Sequence, residues 1–293
     1  SEFRANSRSI FLLFIIPKIP HISVEYFFMF YITNTSLPSN SANTFQALMM
    51  CNEFNKINNN TVFIFPRSKK LNTNEFKEIE TFLNEEIQFK FKEIYSVDFN
   101  FIKALNEKLW FFFKIISYNL FLTIFLLSNK TEQIYVREKW SLRIILFLKY
   151  LGLLKNQVFF EAHDFKFKSQ LLLNYCDKII VINQQLKNVY SSIYSKPILV
   201  SHDAVSSNEL TKYDFKESLN KQPNILYTGS FFKWKGVDLI IYAAKSLPNF
   251  NFLLIGGDNE NFNRLNNFVI ENNIKNVKLL HKLNRKKLHK YYL

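Results

Sequence analysis

The stretch "GSFFKWKG", Gly229 to Gly236, closes one apolar run and opens another with a different period. Strand, turn and helix in that order make a recognised anion site. Backbone N–H groups, the helix dipole and a lysine point charge all converge on the turn. A diphosphate held by Gly229, Ser230, Lys235 and Gly236 is the chemistry this arrangement suits. A plain strand-to-helix turn with a solvated lysine is the other reading of the turn taken alone. The spacing also approaches the phosphate loop G-x-x-x-x-G-K-[ST]. Trp234, however, stands at the second glycine position and Gly236 at the hydroxyl position. A bulky Trp denies the backbone nest, and no hydroxyl remains for Mg²⁺, so this is not an NTPase loop.

The elements that must carry the turn alternate along the chain. "MFYITNTS", "TVFIFP", "QIYVRE", "QVFFEAHD", "DKIIVIN" and "KPILVSHDAV" read as strands, separated by helical patterns. The stretch from Asn72 to Leu127 reads as mostly helical. After the polar segment 206–222 the pattern restarts with "NILYTGS", "FNFLLIGG" and "NVKLLH". Strand–helix alternation of this kind predicts an α/β chain with doubly wound parallel sheets. The expected division is residues 29–205, a linker at 206–222, and a second domain at 223–293. Three strands in that last segment fall short of a complete Rossmann-like domain. Residues 1–28 have no place in this pattern and read as a leader or an added segment.

Composition limits the partners. The 293 residues carry net charge +14, with 48% hydrophobic and 17% aromatic residues. That is a globular composition. The excess charge suits anionic lipid or sugar phosphates. The basic residues are scattered, and no nucleic-acid module is legible, so nucleic acid is not an expected partner. Cys51 and Cys176 lie among apolar neighbours and read as buried thiols in a reducing compartment. "LWFFFKIISYNLFLTIFLL", Leu109 to Leu127, is long enough to span a bilayer, but polar residues interrupt it. A helix packed in a core or lying on a membrane surface fits it better than a spanning helix. There is no dinucleotide fingerprint, no G-x-S-x-G elbow and no His or Cys spacing for a metal.

The block "YTGSFFKWKGVDLIIYAAKSLPNFNFLLIGG" resembles the opening of the nucleotide-sugar domain of GT-B glycosyltransferases of the family 4 type. The resemblance implies two Rossmann-like domains facing a cleft, the second incomplete here. It implies retaining sugar transfer of the hexosyltransferase type, from a UDP- or GDP-sugar donor to a glycan or lipid-linked acceptor. No bound metal and no further cofactor are expected. Gly229, Ser230, Lys235, Gly236 and the strand-end pair Gly256 and Gly257 would bind donor. The family usually has Arg where Ser230 stands, so half of its charged clamp is missing or comes from elsewhere.

Upstream, "SLPSNSANTF" resembles the family's first loop. Ser39, Asn40 and Ser41 would expose N–H groups to phosphate or acceptor, with Ser41 or Asn43 as helix cap. "VFFEAHD" resembles the strand whose His lies beside the donor sugar, which makes His163 the candidate catalytic residue. Glu161 and Asp164 beside it either orient it or are solvated. "YVRE" resembles the preceding strand, with Arg137 on the acceptor or phosphate side. "ILVSHDAV" resembles the crossing between domains, with His202 and Asp203 at the hinge or cleft.

The family's Glu-x7-Glu signature would lie past Leu293, so the chain reads as truncated at its C-terminus. The expected role is polysaccharide or glycolipid synthesis, cytoplasmic and peripheral on the inner face of a membrane, with an anionic lipid surface as a further partner. The alternatives are an inactive fragment or nucleotide-sugar-binding protein of the same fold, a GT-B sugar epimerase, or a basic membrane-surface protein organised around 109–127.

Overall fold

A computed structural model describes residues 29–39, 41–67, 73–83, 86–204, 224–283, 285–288 and 291. The segment 1–28, the linker 206–222 and Asn40 lie outside the described residues. The chain divides into two compact units, Ser1–Ala204 and Val205–Leu293.

The first unit runs β1 (Met29–Ile32), α1 (Ala42–Asn58), β2 (Thr61–Arg67), α2 (Thr73–Leu83) and β3 (Lys90–Tyr95). It continues α3 (Asn100–Leu105), α4 (Glu107–Ser128), β4 (Gln133–Val136), α5 (Lys139–Tyr150), β5 (Gln157–Ala162) and α6 (Gln170–Leu173). It ends β6 (Lys178–Val181), α7 (Gln184–Tyr190) and β7 (Ile198–Val200). Its sheet is parallel throughout, in the order β3-β2-β1-β4-β5-β6-β7. Strand order reverses between β1 and β4. In open α/β sheets that switch point opens a crevice at the carboxyl ends of the strands.

Both faces of this sheet are covered, so its strands are apolar on both sides. Phe30, Ile32, Ile134, Val136, Val158 and Phe160 pack with Tyr118 and Leu122 of α4 and Leu142, Ile145 and Leu146 of α5. Met29, Tyr31, Phe63, Phe65, Tyr135 and Phe159 pack with Leu48, Cys51 and Phe54 of α1. The period of two along each strand thus sorts odd from even residues between two cores. Tyr31 and Tyr135 pair across β1 and β4, and their rings stack at 5.1 Å. Cys51 and Cys176 are free and buried, as expected.

The helical expectation for 72–127 fails at β3. "KFKEIY" is an edge strand beside β2, with Lys90 and Lys92 exposed and Ile94 buried. Lysines on an edge discourage pairing with another chain, and they also hide the strand period.

The second unit runs β8 (Asn224–Gly229), a 3₁₀ turn (Lys233–Lys235), α8 (Val237–Ser246), β9 (Asn251–Gly256), α9 (Asn259–Glu271), β10 (Val277–Leu280) and α10 (Arg285–Leu288). Its sheet is parallel in the order β10-β9-β8. Phe231, Val237, Ile241, Leu254 and Leu265 form its core.

Candidate functional site

In the first unit, the odd-numbered residues of β1, β4 and β5 share the face covered by α1. Arg137 is the first residue past β4, and His163 the first past β5. Both therefore continue the row of Tyr135 and Glu161 toward the carboxyl ends of the strands. Ser41 caps α1 by accepting from the Thr44 N–H, as the sequence suggested, and Ser39 Oγ accepts from the Ser41 N–H at 3.3 Å. The cap points the first turn of α1 at this row.

The side chains close into one network. Tyr135 O–H donates to Glu161 Oε2 at 2.6 Å, and His163 Nε2 lies 2.5 Å from Glu161 Oε1. Arg137 places Nε 3.5 Å from the same carboxylate oxygen. Its Nη2 donates to Gln46 Oε1 at 2.9 Å and stands 2.8 Å from His163 Nε2; its Nη1 donates to the Asn43 carbonyl at 3.3 Å. Gln46 in turn donates to Asp203.

His163 Nε2 is thus flanked by a carboxylate oxygen, which only accepts, and a guanidinium N–H, which only donates. Burial would raise the Glu161 pKa, but His163, Arg137 and Tyr135 together hold its carboxyl below the ordinary value. The guanidinium is itself held charged: burial opposes this, and the polar groups of Tyr31, Glu161 and Tyr135 outweigh it. Arg137 is therefore a buried cation with its own counter-ion, and it braces His163. Of the first unit's expected residues, the structure brings together Arg137, His163 and the α1 cap. Glu161 orients His163, which settles the choice left open by the sequence. Asp164 is exposed and bonded to Lys166.

In the second unit the donor candidates meet at the carboxyl ends of β8 and β9. Gly229 and Gly256 stand opposite each other in register. A Cβ on Gly256 would lie 1.8 Å from the Gly229 carbonyl oxygen, and one on Gly257 would lie 2.5 Å from the Phe231 ring. Only glycine lets these two strand ends approach so closely. Gly257 N–H donates to Gly229 O at 3.3 Å, and Tyr227 O–H donates to Ser230 O at 2.8 Å. Phe231 then plunges into the core while Lys233–Lys235 turns outward. Lys235 is exposed, with Nζ 4.4 Å from the Trp234 ring centroid, and Gly236 N-caps α8.

Arg264 of α9 was not anticipated. It pairs with Asp238 at 2.5 Å and donates to the Phe231 carbonyl at 3.3 Å. It brings a guanidinium to the loop where the family's arginine is absent, although Asp238 already balances it. Its signal in the sequence was only an Arg in a polar helix. Tyr135 and Gln46 were missed for a related reason: they join the network through strand register and helix placement.

Residues 211–293 match the family model described as Glycosyl transferases group 1. An uncharacterized glycosyltransferase of Methanocaldococcus jannaschii is 33% identical over 107 residues, which is 36% of this chain and 27% of that protein. The match thus spans about a quarter of the relative's length. Among solved structures, the lipopolysaccharide outer core galactosyltransferase WaaB in its apo form aligns with TM-score 0.59 and 14% identity. That alignment covers 90% of this chain and 70% of that one. Anabaena HepE in complex with UDP and glucose aligns with TM-score 0.55 and 11% identity, over 88% of this chain and 70% of that one. The chain has the GT-B fold, α/β with a seven-stranded parallel sheet and a smaller second sheet, and the glycosyl transferases group 1 match falls within its second unit.

Proposed function

We propose that the protein is a retaining glycosyltransferase of the family 4, hexosyltransferase type. It moves a sugar from a nucleotide-diphosphate donor to a glycan or lipid-linked acceptor in cell-surface polysaccharide or glycolipid synthesis, at the cytoplasmic face of a membrane. The observation that carries this reading is the glycine-lined approach of the β8 and β9 ends beside the Lys235 turn, within the segment that matches the family model.

In this reading the bond from the anomeric carbon to the donor phosphate breaks on the same face on which the acceptor oxygen attacks. The acceptor proton passes to the leaving diphosphate. Lys235, the Gly229–Ser230 backbone and the start of α8 stabilise the charge that develops there. Gly256 and Gly257 let the β8 and β9 ends close up beside the donor turn, and Ser39, Asn40, Ser41 and the braced Arg137 shape the acceptor side. His163, fixed by Glu161, contacts the sugar. No metal or further cofactor takes part.

Calorimetric titration with UDP and GDP tests the donor site first, because UDP occupies one fold neighbour. One nucleotide should bind, and Lys235→Met should weaken it about tenfold by removing a charge-assisted contact. No binding by either nucleotide, or an unchanged affinity in the variant, overturns the assignment. With labelled UDP-sugars, a glycoside of retained configuration is the expected product. Release of a free epimerised sugar would make the chain an epimerase instead.

A further inference from the structure

Helix α4 is built with its polarity reversed. It crosses from β3 to β4 and packs on the parallel sheet beside α5. Its polar residues face inward. Lys114 is buried, bonded to Ser36 Oγ at 2.8 Å and paired with Asp98 at 3.1 Å. Tyr118 O–H donates to the Thr33 carbonyl at 2.8 Å, and Asn119 and Thr123 bond back to the helix carbonyls of Ile115 and Asn119. Ser117 Oγ accepts from the Val97 N–H.

Facing away from the sheet are Leu109, Phe112, Ile116, Leu120, Ile124 and Leu127, each 47% exposed or more. Steps of three and four put them on one stripe, about 27 Å long at 1.5 Å per residue. Lys114 is the one charged residue between Leu109 and Ser128, and it is turned inward, so the stripe carries no charge. A crossover helix facing water carries polar residues outward. An unbroken apolar stripe of this size marks an interaction surface.

The surrounding charge identifies the partner. The exposed cations of residues 100–157 are Lys103, Lys108, Lys130, Arg143 and Lys155, against the exposed anions Glu107 and Glu132. Of the cations, Lys103, Lys108 and Lys130 stand near the two ends of α4, Arg143 on α5 and Lys155 in the loop after it, on a chain of net charge +14. A second copy docked through the same face would bring like charges together. An anionic bilayer would take the stripe into its acyl boundary and neutralise the rim. A spanning role is incompatible with the structure, because α4 is hydrogen-bonded to the loop after β1 and joins two strands of one sheet.

We infer that the outward stripe of α4 is a docking surface for an anionic lipid bilayer and lies in the plane of the membrane interface. This names the surface behind the peripheral location proposed above. It is measured without any sugar donor, so its failure leaves the transfer reading untouched.

The test is flotation of the full chain with vesicles of phosphatidylcholine containing phosphatidylglycerol, against pure phosphatidylcholine. The wild type should bind the anionic vesicles preferentially. Phe112→Ser, Leu120→Ser and Ile124→Ser combined should reduce binding at least about tenfold, with the unfolding temperature in lipid-free buffer not lowered, since all three side chains face solvent. Lys108→Glu with Lys130→Glu should reduce binding to anionic vesicles by about the same factor and leave pure phosphatidylcholine unaffected. Undiminished binding by the serine variant, or indifference to phosphatidylglycerol, overturns the inference. So does a lipid-free dimer that becomes monomeric in the serine variant, which would give the stripe to a second copy.

Discussion

Two neighbouring carboxylates of the first unit are pushed in opposite directions. Glu161 is held below its ordinary pKa despite burial, because His163, Arg137 and Tyr135 favour its ionised form. Glu138 is pushed up to about 7: burial dominates, and the bond from the Asn34 N–H, with the nearby Arg137, only partly offsets it. The stability contributed by Glu161 is therefore present above the usual carboxylate range and lost as pH falls through its lowered folded value. Glu138 does the reverse. It costs nothing at acid pH, and its penalty grows as pH rises from the unfolded value toward about 7. Glu161→Gln should destabilise the fold at neutral pH by about 3 kcal/mol, because it leaves the Arg137 charge buried without its anion. Glu138→Gln should stabilise it by about 2 kcal/mol above pH 7, a gain that vanishes at about pH 4. Urea unfolding of each variant across this range checks both signs. A Glu161→Gln protein as stable as wild type would mean that Arg137 is balanced by another group. At this scale His163 and Arg137 were named by the resemblance and the Ser41 cap by its place before a helix, and the structure puts each at a strand tip or helix start. Tyr135 and Gln46 were not legible, since nothing in the local sequence says that β4 lies beside β5 under α1.

The elements show where local pattern suffices and where it does not. Nine of the ten strands among the described residues announce themselves as apolar runs, and in the first unit the reason is that a parallel sheet covered on both faces needs apolar residues at nearly every position. β3 is the exception, as an edge strand whose exposed lysines look helical or disordered when read alone. The reversed polarity of α4 was half legible: the interruptions by Lys114, Ser117 and Asn119 were visible, but their inward direction was not. The strand-end glycines of the second unit were named by resemblance, and the structure supplies the physical reason. Gly256 has φ +144 and no room for a methyl group, whereas Gly152, after α5, has φ +72 and nothing within 4 Å of where a methyl group would stand. Gly152→Ala should thus cost only the backbone strain, about 1 kcal/mol. Gly256→Ala must also push the β8 and β9 ends apart, for about 3 kcal/mol or more. Hydrogen exchange of the β8 and β9 amides reads the second variant directly, and unchanged protection there would show that the close approach is dispensable.

At the scale of the whole molecule the two units are unequal. The first unit has two cores, one on each face of a seven-stranded sheet. Among the described residues the second has one small core around Phe231, Leu254 and Leu265 and three strands. Stability follows buried apolar area, so the smaller unit has less to set against its chain entropy. The backbone of β8–β10 should exchange at lower urea concentrations than that of β1, β4 and β5, giving two unfolding steps. Ligand linkage then separates the roles assigned to the units. A nucleotide held by the Lys235 turn binds only the folded second unit and should stabilise it by about 2.7 kcal/mol at a hundredfold excess over its Kd. The first step should move to higher urea while the second stays in place. UDP protection confined to β1, β4 and β5 would put the nucleotide on the His163 side and reverse the assignment of donor to the second unit. A single coincident step in the absence of ligand would show that the smaller unit draws its stability from the larger one.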